Sequence, residues 1–173
     1  MHDQHYLNNY FANHWNPRID QYQYSGWALL KKIRLGESVL DVGCGNNPFK
    51  KHIANLTGID PAFDQADYQC TIEEFESNIQ YDVAFCLGSI NFGTEDVVLK
   101  QINCVVNLLR PRGRIYWRCN PGQQDHGNTE CMGIDFFPWS EQLLEQYAIK
   151  FGFRLIDLQY DTNNRLYAEW SGA

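Results

Sequence analysis

Short apolar runs alternate with amphipathic segments along most of the chain. Residues 81–87 (YDVAFCL) form a continuous apolar run, which is typical of a strand buried on both faces. Segments 95–109 and 141–151 carry apolar residues at helical spacing, and Thr94 and Ser140 stand at the expected N-cap positions. The pattern predicts strands at 38–42, 56–59, 68–70, 81–87, 114–119, 154–160 and 166–170, and a short helix at 48–55.

The alternation of strands and helices stops after residue 151. Residues 161–164 (DTNN) make a turn short enough to join the last two strands as an antiparallel hairpin. The earlier alternation predicts a largely parallel sheet with helices on both faces. A turn at 111–113 (PRG) separates the helix at 95–109 from the next strand.

The N-terminal part is less regular. Apolar residues between 18 and 33 recur at roughly helical spacing, and Gly36 follows as a stop signal. Residues 1–16 are polar and aromatic, which suits either a frayed terminus or a flap over a site. We expect one domain over 1–173, with 1–35 as an N-terminal helical cap.

Composition narrows the class of protein. The chain has 173 residues, 44% of them hydrophobic, and a formal net charge of −7. Nucleic acid is disfavoured as a partner because phosphate backbones require a basic surface. No apolar run is long enough for a membrane span and the N-terminus does not resemble a secretory signal, so a cytoplasmic location is expected. The six dispersed cysteines are expected to be reduced.

A glycine-containing turn carries the strongest chemical signal. The apolar run at 39–42 includes Asp41 and leads into Gly43-Cys44-Gly45, before a helix start. Nineteen residues after Asp41, Asp60 ends the next apolar run. Strand, glycine turn, helix, strand and acid in this order are typical of a nucleotide-type cofactor site.

These residues resemble the class I S-adenosylmethionine-dependent methyltransferases over about 37–170. The landmarks are VLDVGCGNNPF, GIDP, TIEEF, YDVAFCLGSINF, LLRPRGRIYW and PWSEQLLEQYAIKFGF. The resemblance implies an α/β three-layer sandwich with a seven-stranded, mostly parallel sheet. Its implied strand order is 3-2-1-4-5-7-6, with strand 7 antiparallel.

The resemblance also implies a cofactor, S-adenosylmethionine, and the residues that bind it. The glycine turn would hold the methionine part, Asp60 the ribose hydroxyls, and the loop after strand 3 the adenine. The matching positions are Asp41, Gly43, Cys44, Gly45, Asp60, Pro61, Thr71, Ile72, Leu87, Gly88 and Ser89.

Three departures from the family pattern bear on the site. Asn47 stands where a third glycine is common. Cys70 occupies the place where an acid more often meets the adenine amino group, and Asp67 comes slightly early for that role. The end of strand 4 lacks the Asp/Asn-Pro-Pro-Tyr/Phe pattern of enzymes that methylate amino groups of bases or glutamine.

The sequence shows no fixed catalytic signature. Methyl transfer from a sulfonium depends mainly on alignment, and a base is needed only when the nucleophile must lose a proton. His14 and His126 are the weak candidates for a base, against the alternative of surface histidines. Tyr10, Trp15 and Arg118 are candidates for substrate contacts, with an internal ion pair as the alternative for Arg118.

We expect methyl transfer to a small-molecule acceptor, because the chain is acidic and carries no appended recognition domain. The alternative is a non-catalytic subunit that binds the cofactor or stabilises a partner protein. Aminopropyl transfer and nicotinamide oxidoreduction are disfavoured. Cys119, His126 and Cys131 match no standard zinc spacing, so no metal is expected.

Overall fold

The computed structural model describes residues 3–15, 19–122 and 133–173. These residues form three α-helices, six strands and three short 3₁₀ segments. In chain order the helices and strands are α1 (Gln4–Asn13), β1 (Val39–Val42), β2 (Leu56–Ile59), β3 (Tyr81–Leu87), α2 (Glu95–Asn107), β4 (Leu109–Cys119), α3 (Glu141–Lys150), β5 (Phe153–Tyr160) and β6 (Leu166–Gly172). The 3₁₀ segments are Ile19–Gln21, Gly26–Lys32 and Pro48–Lys51.

The strands form one mixed sheet in the order β2-β1-β3-β4-β6-β5. The strands β2, β1, β3 and β4 pair in parallel. The strand β6 is antiparallel to both of its neighbours, β4 and β5. The parallel sheet with a terminal antiparallel hairpin, expected from the sequence, is therefore confirmed.

The expected seven-stranded sheet is not found, because the described residues contribute six strands. The segment predicted as a strand at 68–70 makes a single bridge, between Tyr68 and Ile59. Its neighbour Asp67 directs its carboxylate to the backbone N–H of Gly58 and to Lys50. This polar segment thus folds as turns at the edge of β2, since it lacks the apolar residues that a further strand would bury.

The sheet lies between two apolar layers. Alternate side chains of β3 point to opposite faces. Val83 and Phe85 pack with the 3₁₀ segments Gly26–Lys32 and Pro48–Lys51, whereas Ala84 packs on the side of α2 and α3. The continuous apolar run in the sequence follows from this burial on both faces.

The helix expected across 18–33 is wrong in the form predicted. The chain instead makes two 3₁₀ segments, Ile19–Gln21 and Gly26–Lys32, separated by bends. Gly26 has a φ of +46°, and a Cβ at this position would lie 2.3 Å from the carbonyl oxygen of Ile19. Only a residue without a Cβ fits at this position, where the second segment begins, so the chain does not run through it as one continuous helix.

Two smaller predictions also need correction. The helix predicted at 48–55 is limited to the 3₁₀ segment Pro48–Lys51. The residues predicted as a turn at 111–113 lie inside β4, where the pairing with β3 shifts register between Tyr81 and Val83. The expected cap at Ser140 is confirmed, because its hydroxyl accepts a hydrogen bond from Leu143 N–H. Thr94 precedes α2 without a side-chain cap bond.

None of the helices in the described ranges is both long enough and apolar enough to cross a bilayer.

Candidate functional site

A cleft runs along the edge of the sheet where the parallel strands end. It holds about 1110 Å³ of empty space, part of it open to solvent. Its walls come from the loops after β1, β2 and β3, from the end of β4 and from α1. Ligands of open α/β sheets bind at this edge, so the cleft is the candidate site.

Several residues singled out in the sequence meet on the walls of this cleft. They are Tyr10, Trp15, Gly43, Asp60, Pro61, Thr71, Ile72, Leu87, Gly88, Ser89 and Arg118. Asp41, Cys44, Gly45 and His14 do not line it. His126 lies outside the described residues.

The glycine turn after β1 adopts a conformation that favours glycine. Gly43 and Gly45 have φ values of +73° and +56°. The N–H groups of Gly43 and Cys44 both donate to the carbonyl of Ile59, at 2.8 and 3.0 Å, which ties the turn to the end of β2. A Cβ on Gly43 would lie 2.4 Å from the Cβ of Ser89. The turn and the loop after β3 are therefore in direct contact.

Asn47 shows why a third glycine is not required. Its φ of +55° lies in the left-handed region, which asparagine tolerates better than most residues. Its side chain amide donates to the carbonyl of Gln65 and to Asp67. It thus keeps the backbone path of a glycine and fastens the turn to the segment after β2.

Asp60 ends β2 and binds the glycine turn. One carboxylate oxygen accepts a hydrogen bond from Gly45 N–H at 2.9 Å. The other accepts from Ala62 and Phe63 N–H at 2.8 and 3.3 Å. Burial raises the pKa of Asp60, and these N–H groups oppose the increase. Because a carboxylate has about four lone-pair sites, one remains for a ligand in the cleft.

Asp41 is buried behind the turn, in the sheet, and only 3% of it is exposed. Burial is the main cause that raises its pKa to about 7, and the charge of Asp60 adds to the increase while Arg118 opposes it. Its charge therefore changes near neutral pH. Cys44 is also buried, and burial raises the pKa of its thiol, which leaves it protonated and unreactive.

The segment after β2 forms the far wall. Ile72 is buried and offers an apolar surface to the cleft. Thr71 donates from its N–H and its hydroxyl to the carboxylate of Glu74, at 2.9 and 3.0 Å, and no helix follows. The carboxylate of Asp67 is engaged by Gly58 N–H and Lys50, and Asp67 does not line the cleft.

The helix α1 covers the cleft with aromatic side chains. Trp15 makes an edge contact with Phe63 after β2, with ring centroids 6.2 Å apart. Phe11 makes a similar contact with Phe92 after β3, at 5.7 Å. A Cβ on Gly45 would lie 3.3 Å from the ring of Trp15. Of the two alternatives for the N-terminus, the structure has the flap.

His14 lies at the end of α1 and is exposed. Its ring stacks beside Tyr10 with centroids 6.3 Å apart, and His14 is not among the residues that line the cleft. Within 3–15, 19–122 and 133–173, no group of three or more His, Cys, Asp and Glu side chains is placed to hold a metal ion.

The cleft also contains residues that the sequence pattern did not indicate. Tyr22 lies with its ring centroid 3.6 Å from the guanidinium carbon of Arg118. Asn91 is buried, and its side chain oxygen accepts a hydrogen bond from Asn120 N–H. Asn91 lies in the loop after the apolar run 81–87, beside the predicted positions Gly88 and Ser89, and this placement was a usable signal. Tyr22 had none, because its role depends on a contact between distant segments.

No family model matches the sequence, and no curated protein matches it. Solved structures do match across nearly the whole chain. The N-methyltransferase NodS from Bradyrhizobium japonicum WM9, in complex with S-adenosylhomocysteine, has 16% identity and a TM-score of 0.70, with 98% of this chain and 99% of that chain covered. Magnesium protoporphyrin IX methyltransferase from Synechocystis PCC 6803, with bound S-adenosylmethionine, has 13% identity and a TM-score of 0.69, with 100% and 98% covered.

A third structure is a complex that contains the Haloferax volcanii Trm112 methyltransferase activator. A chain of this complex has 13% identity and a TM-score of 0.72, and 99% of both chains is covered. At these identities the similarity establishes the fold. The chain has the Rossmann-like fold of the class I S-adenosylmethionine-dependent methyltransferases.

Proposed function

We propose that this protein transfers a methyl group from S-adenosylmethionine to a small-molecule acceptor. The observation that carries the proposal is the arrangement of the cleft. A glycine turn with left-handed backbone, a buried acid at the end of the next strand and an aromatic flap meet at the ligand-binding edge of the sheet. Structures with the same fold contain S-adenosylmethionine or S-adenosylhomocysteine.

The residues present fit this cofactor. Gly43 leaves no room for a Cβ, and the buried hydroxyl of Ser89 beside it has no hydrogen-bond partner in the structure. An unpartnered buried hydroxyl on a cleft wall is suited to a polar ligand. Asp60 would accept a hydrogen bond from a ribose hydroxyl at its remaining lone-pair site, and Ile72 would pack against the adenine.

When bound, S-adenosylmethionine supplies an electrophilic methyl group and a neutral leaving group. The contribution of the chain is to align the acceptor and to exclude water. The aromatic contacts of Trp15 and Phe11 would close the cleft over both ligands. No described histidine lines the cleft, so we propose no general base.

We propose a small-molecule acceptor because the chain is acidic, with a formal net charge of −7, and because aromatic side chains of the N-terminal flap cover the cleft. The Synechocystis neighbour acts on magnesium protoporphyrin IX. A protein partner that supports activity is a second proposal, since another neighbour comes from a complex with an activator. The cytoplasm stays the expected location.

Thermal unfolding with and without ligands tests the cofactor. S-adenosylmethionine and S-adenosylhomocysteine at about 100 times Kd should each add roughly 2.7 kcal/mol, which is about 5–10 °C for a chain of this size. NAD should add nothing. No shift with either sulfur ligand would contradict the proposal. Release of S-adenosylhomocysteine during incubation with candidate acceptors then separates an enzyme from a non-catalytic cofactor-binding subunit.

A further inference from the structure

Arg118, near the end of β4, is a guanidinium group buried in the wall of the cleft. Only 9% of the residue is exposed. One terminal nitrogen, Nη2, donates to the carbonyl oxygen of Leu87 at 2.6 Å, and the other, Nη1, donates to the hydroxyl of Ser25 at 3.1 Å. Both acceptors are neutral groups. The buried positive charge is therefore hydrogen-bonded, but neither of these acceptors carries a negative charge that would balance it.

Two other arginines of β4 differ from Arg118 because they form ion pairs. Arg110 and Arg114 each bind a carboxylate, Asp82 and Glu37 respectively, at 3.0 and 2.8 Å. Among the side chains that the structure describes, no carboxylate lies within ion-pair distance of Arg118. The internal ion pair considered for Arg118 from the sequence is therefore not found there.

The surroundings of Arg118 make an anion favourable at this place. Burial is the main cause that lowers its pKa, as expected for a cation removed from water. The ring of Tyr22, which packs against Arg118, also lies 5.4 Å from the guanidinium of Arg165. Arg165 also lines the cleft, so two guanidinium groups lie near this ring. Asp41 acts on Arg118 through space, but its own pKa of about 7 leaves it only partly charged at neutral pH.

Arg118 also has donors to spare. A guanidinium has five N–H donors, and the two bonds above leave about three of them, including Nε–H. A Cβ on Gly88 would lie 3.2 Å from Nη2 and 3.8 Å from Nε, so the glycine leaves the space beside the fork open. Two parallel N–H donors match the two oxygens of a carboxylate or phosphate.

The position of Arg118 in the sheet places its charge nearer to the expected acceptor than to the cofactor. The proposed ribose and methionine contacts are at the ends of β2 and β1, and Arg118 is on β4, beyond β3. Two strand spacings of about 4.8 Å, or roughly 10 Å, separate β1, whose glycine turn is proposed to hold the methionine part, from β4. We propose that Arg118 binds an anionic oxygen group of the acceptor, a carboxylate or a phosphate, at the β4 end of the cleft. This inference rests on the proposed methyl transfer.

Calorimetry on the protein saturated with S-adenosylhomocysteine tests the proposal. The probes are benzoate, its neutral counterpart benzamide, and inorganic phosphate. Benzoate or phosphate should bind wild-type protein, and the stronger of the two identifies the type of anion. If a carboxylate is preferred, benzamide should bind at least tenfold more weakly than benzoate. Arg118→Met should weaken the anion at least tenfold, about 1.4 kcal/mol.

Arg154→Met is the matched control, because Arg154 is an exposed arginine on β5 and its loss changes the net charge equally. It should leave anion binding within twofold. Both variants should bind S-adenosylhomocysteine within twofold of wild type. An equal loss of anion and S-adenosylhomocysteine affinity in Arg118→Met would assign Arg118 to the carboxylate of the cofactor and overturn the proposal.

Two further outcomes would overturn it: no anion binding to wild type, or equal binding to the Arg118 and Arg154 variants. If Arg118→Met does not fold, the Nε–H resonance of Arg118 in wild-type protein provides the readout. Addition of the bound anion should shift this resonance, and an unchanged resonance would refute the proposal. Failure of wild type to bind S-adenosylhomocysteine would instead contradict the proposed function. In that case, the same anion titrations on the ligand-free wild-type and variant proteins would still test Arg118.

Discussion

Substitution of Gly43 by alanine tests the contact between the glycine turn and the loop after β3. The new Cβ would lie 2.4 Å from the Cβ of Ser89, far inside van der Waals contact, and φ is +73°. The left-handed backbone costs an alanine about 1–2 kcal/mol. The overlap adds about 1–3 kcal/mol, as for other overpacked sites. We therefore expect Gly43→Ala to lower the free energy of unfolding by about 2–5 kcal/mol.

Gly36 provides a control that separates the two costs. It also has a positive φ, +85°, but a Cβ there would meet nothing within 4 Å. Gly36→Ala should therefore cost only the backbone part, about 1–2 kcal/mol. The excess cost at Gly43 measures the overlap with Ser89.

Ser89→Gly should rescue Gly43→Ala, because it removes the Cβ that is in the way. The Ser89 hydroxyl has no hydrogen-bond partner, so its loss breaks no bond. Urea unfolding of the four proteins in a double-mutant cycle should give a coupling of about 1–3 kcal/mol, the cost of the overlap, with unchanged m values. S-adenosylhomocysteine should bind Gly43→Ala at least tenfold more weakly and Gly36→Ala normally. Equal costs at Gly43 and Gly36, or no coupling to Ser89, would refute this account of the turn.

Three further predictions concern the buried acids and the flap. The pKa of Asp41 is raised to about 7 in the native protein. Between about pH 4 and 7 the native protein therefore holds a proton that the unfolded protein has released, so the free energy of unfolding falls as the pH rises through this range. Asp41→Asn should make unfolding less pH-dependent than in wild type, as urea titrations from pH 4 to 8 would measure; identical pH profiles would contradict the pKa. Asp60→Asn places an amide donor against Gly45 or Ala62 N–H, so it should cost about 1–3 kcal/mol in urea unfolding and weaken S-adenosylhomocysteine in calorimetry. Trp15→Ala removes the ring beside Gly45 and should speed dissociation of S-adenosylhomocysteine in stopped-flow measurements, with little change in stability; an unchanged rate would mean that the flap does not hold the ligand.

The strands and the main helices could be predicted from local sequence, because each depends on its own pattern of burial. The apolar run of β3 and the spaced apolar residues of α2 and α3 record which faces are covered. The glycine turn was recognisable for a related reason. Gly43 and Gly45 adopt backbone angles that few other residues reach, so the requirement is written into the residue type itself.

Other features depend on contacts between segments far apart in the chain. The predicted helix across 18–33 is interrupted before Gly26, where a Cβ would overlap the carbonyl oxygen of Ile19, and apolar periodicity does not encode such a contact. The predicted strand at 68–70 is replaced by turns because Asp67 binds the backbone of β2. Likewise the sequence located Asp60 but not its hydrogen bond to Gly45 in the glycine turn.

Arg118 shows the division most clearly. The sequence by itself placed it near the end of a central strand and left open a substrate contact or an internal ion pair. Only the tertiary structure shows that Tyr22 packs against its guanidinium. It also shows that no carboxylate among the described side chains lies close enough to form an ion pair with it. The strand depends on local burial, which a sequence pattern records. The balance of charge around a buried group depends on every segment that folds against it, and this information exists only in three dimensions.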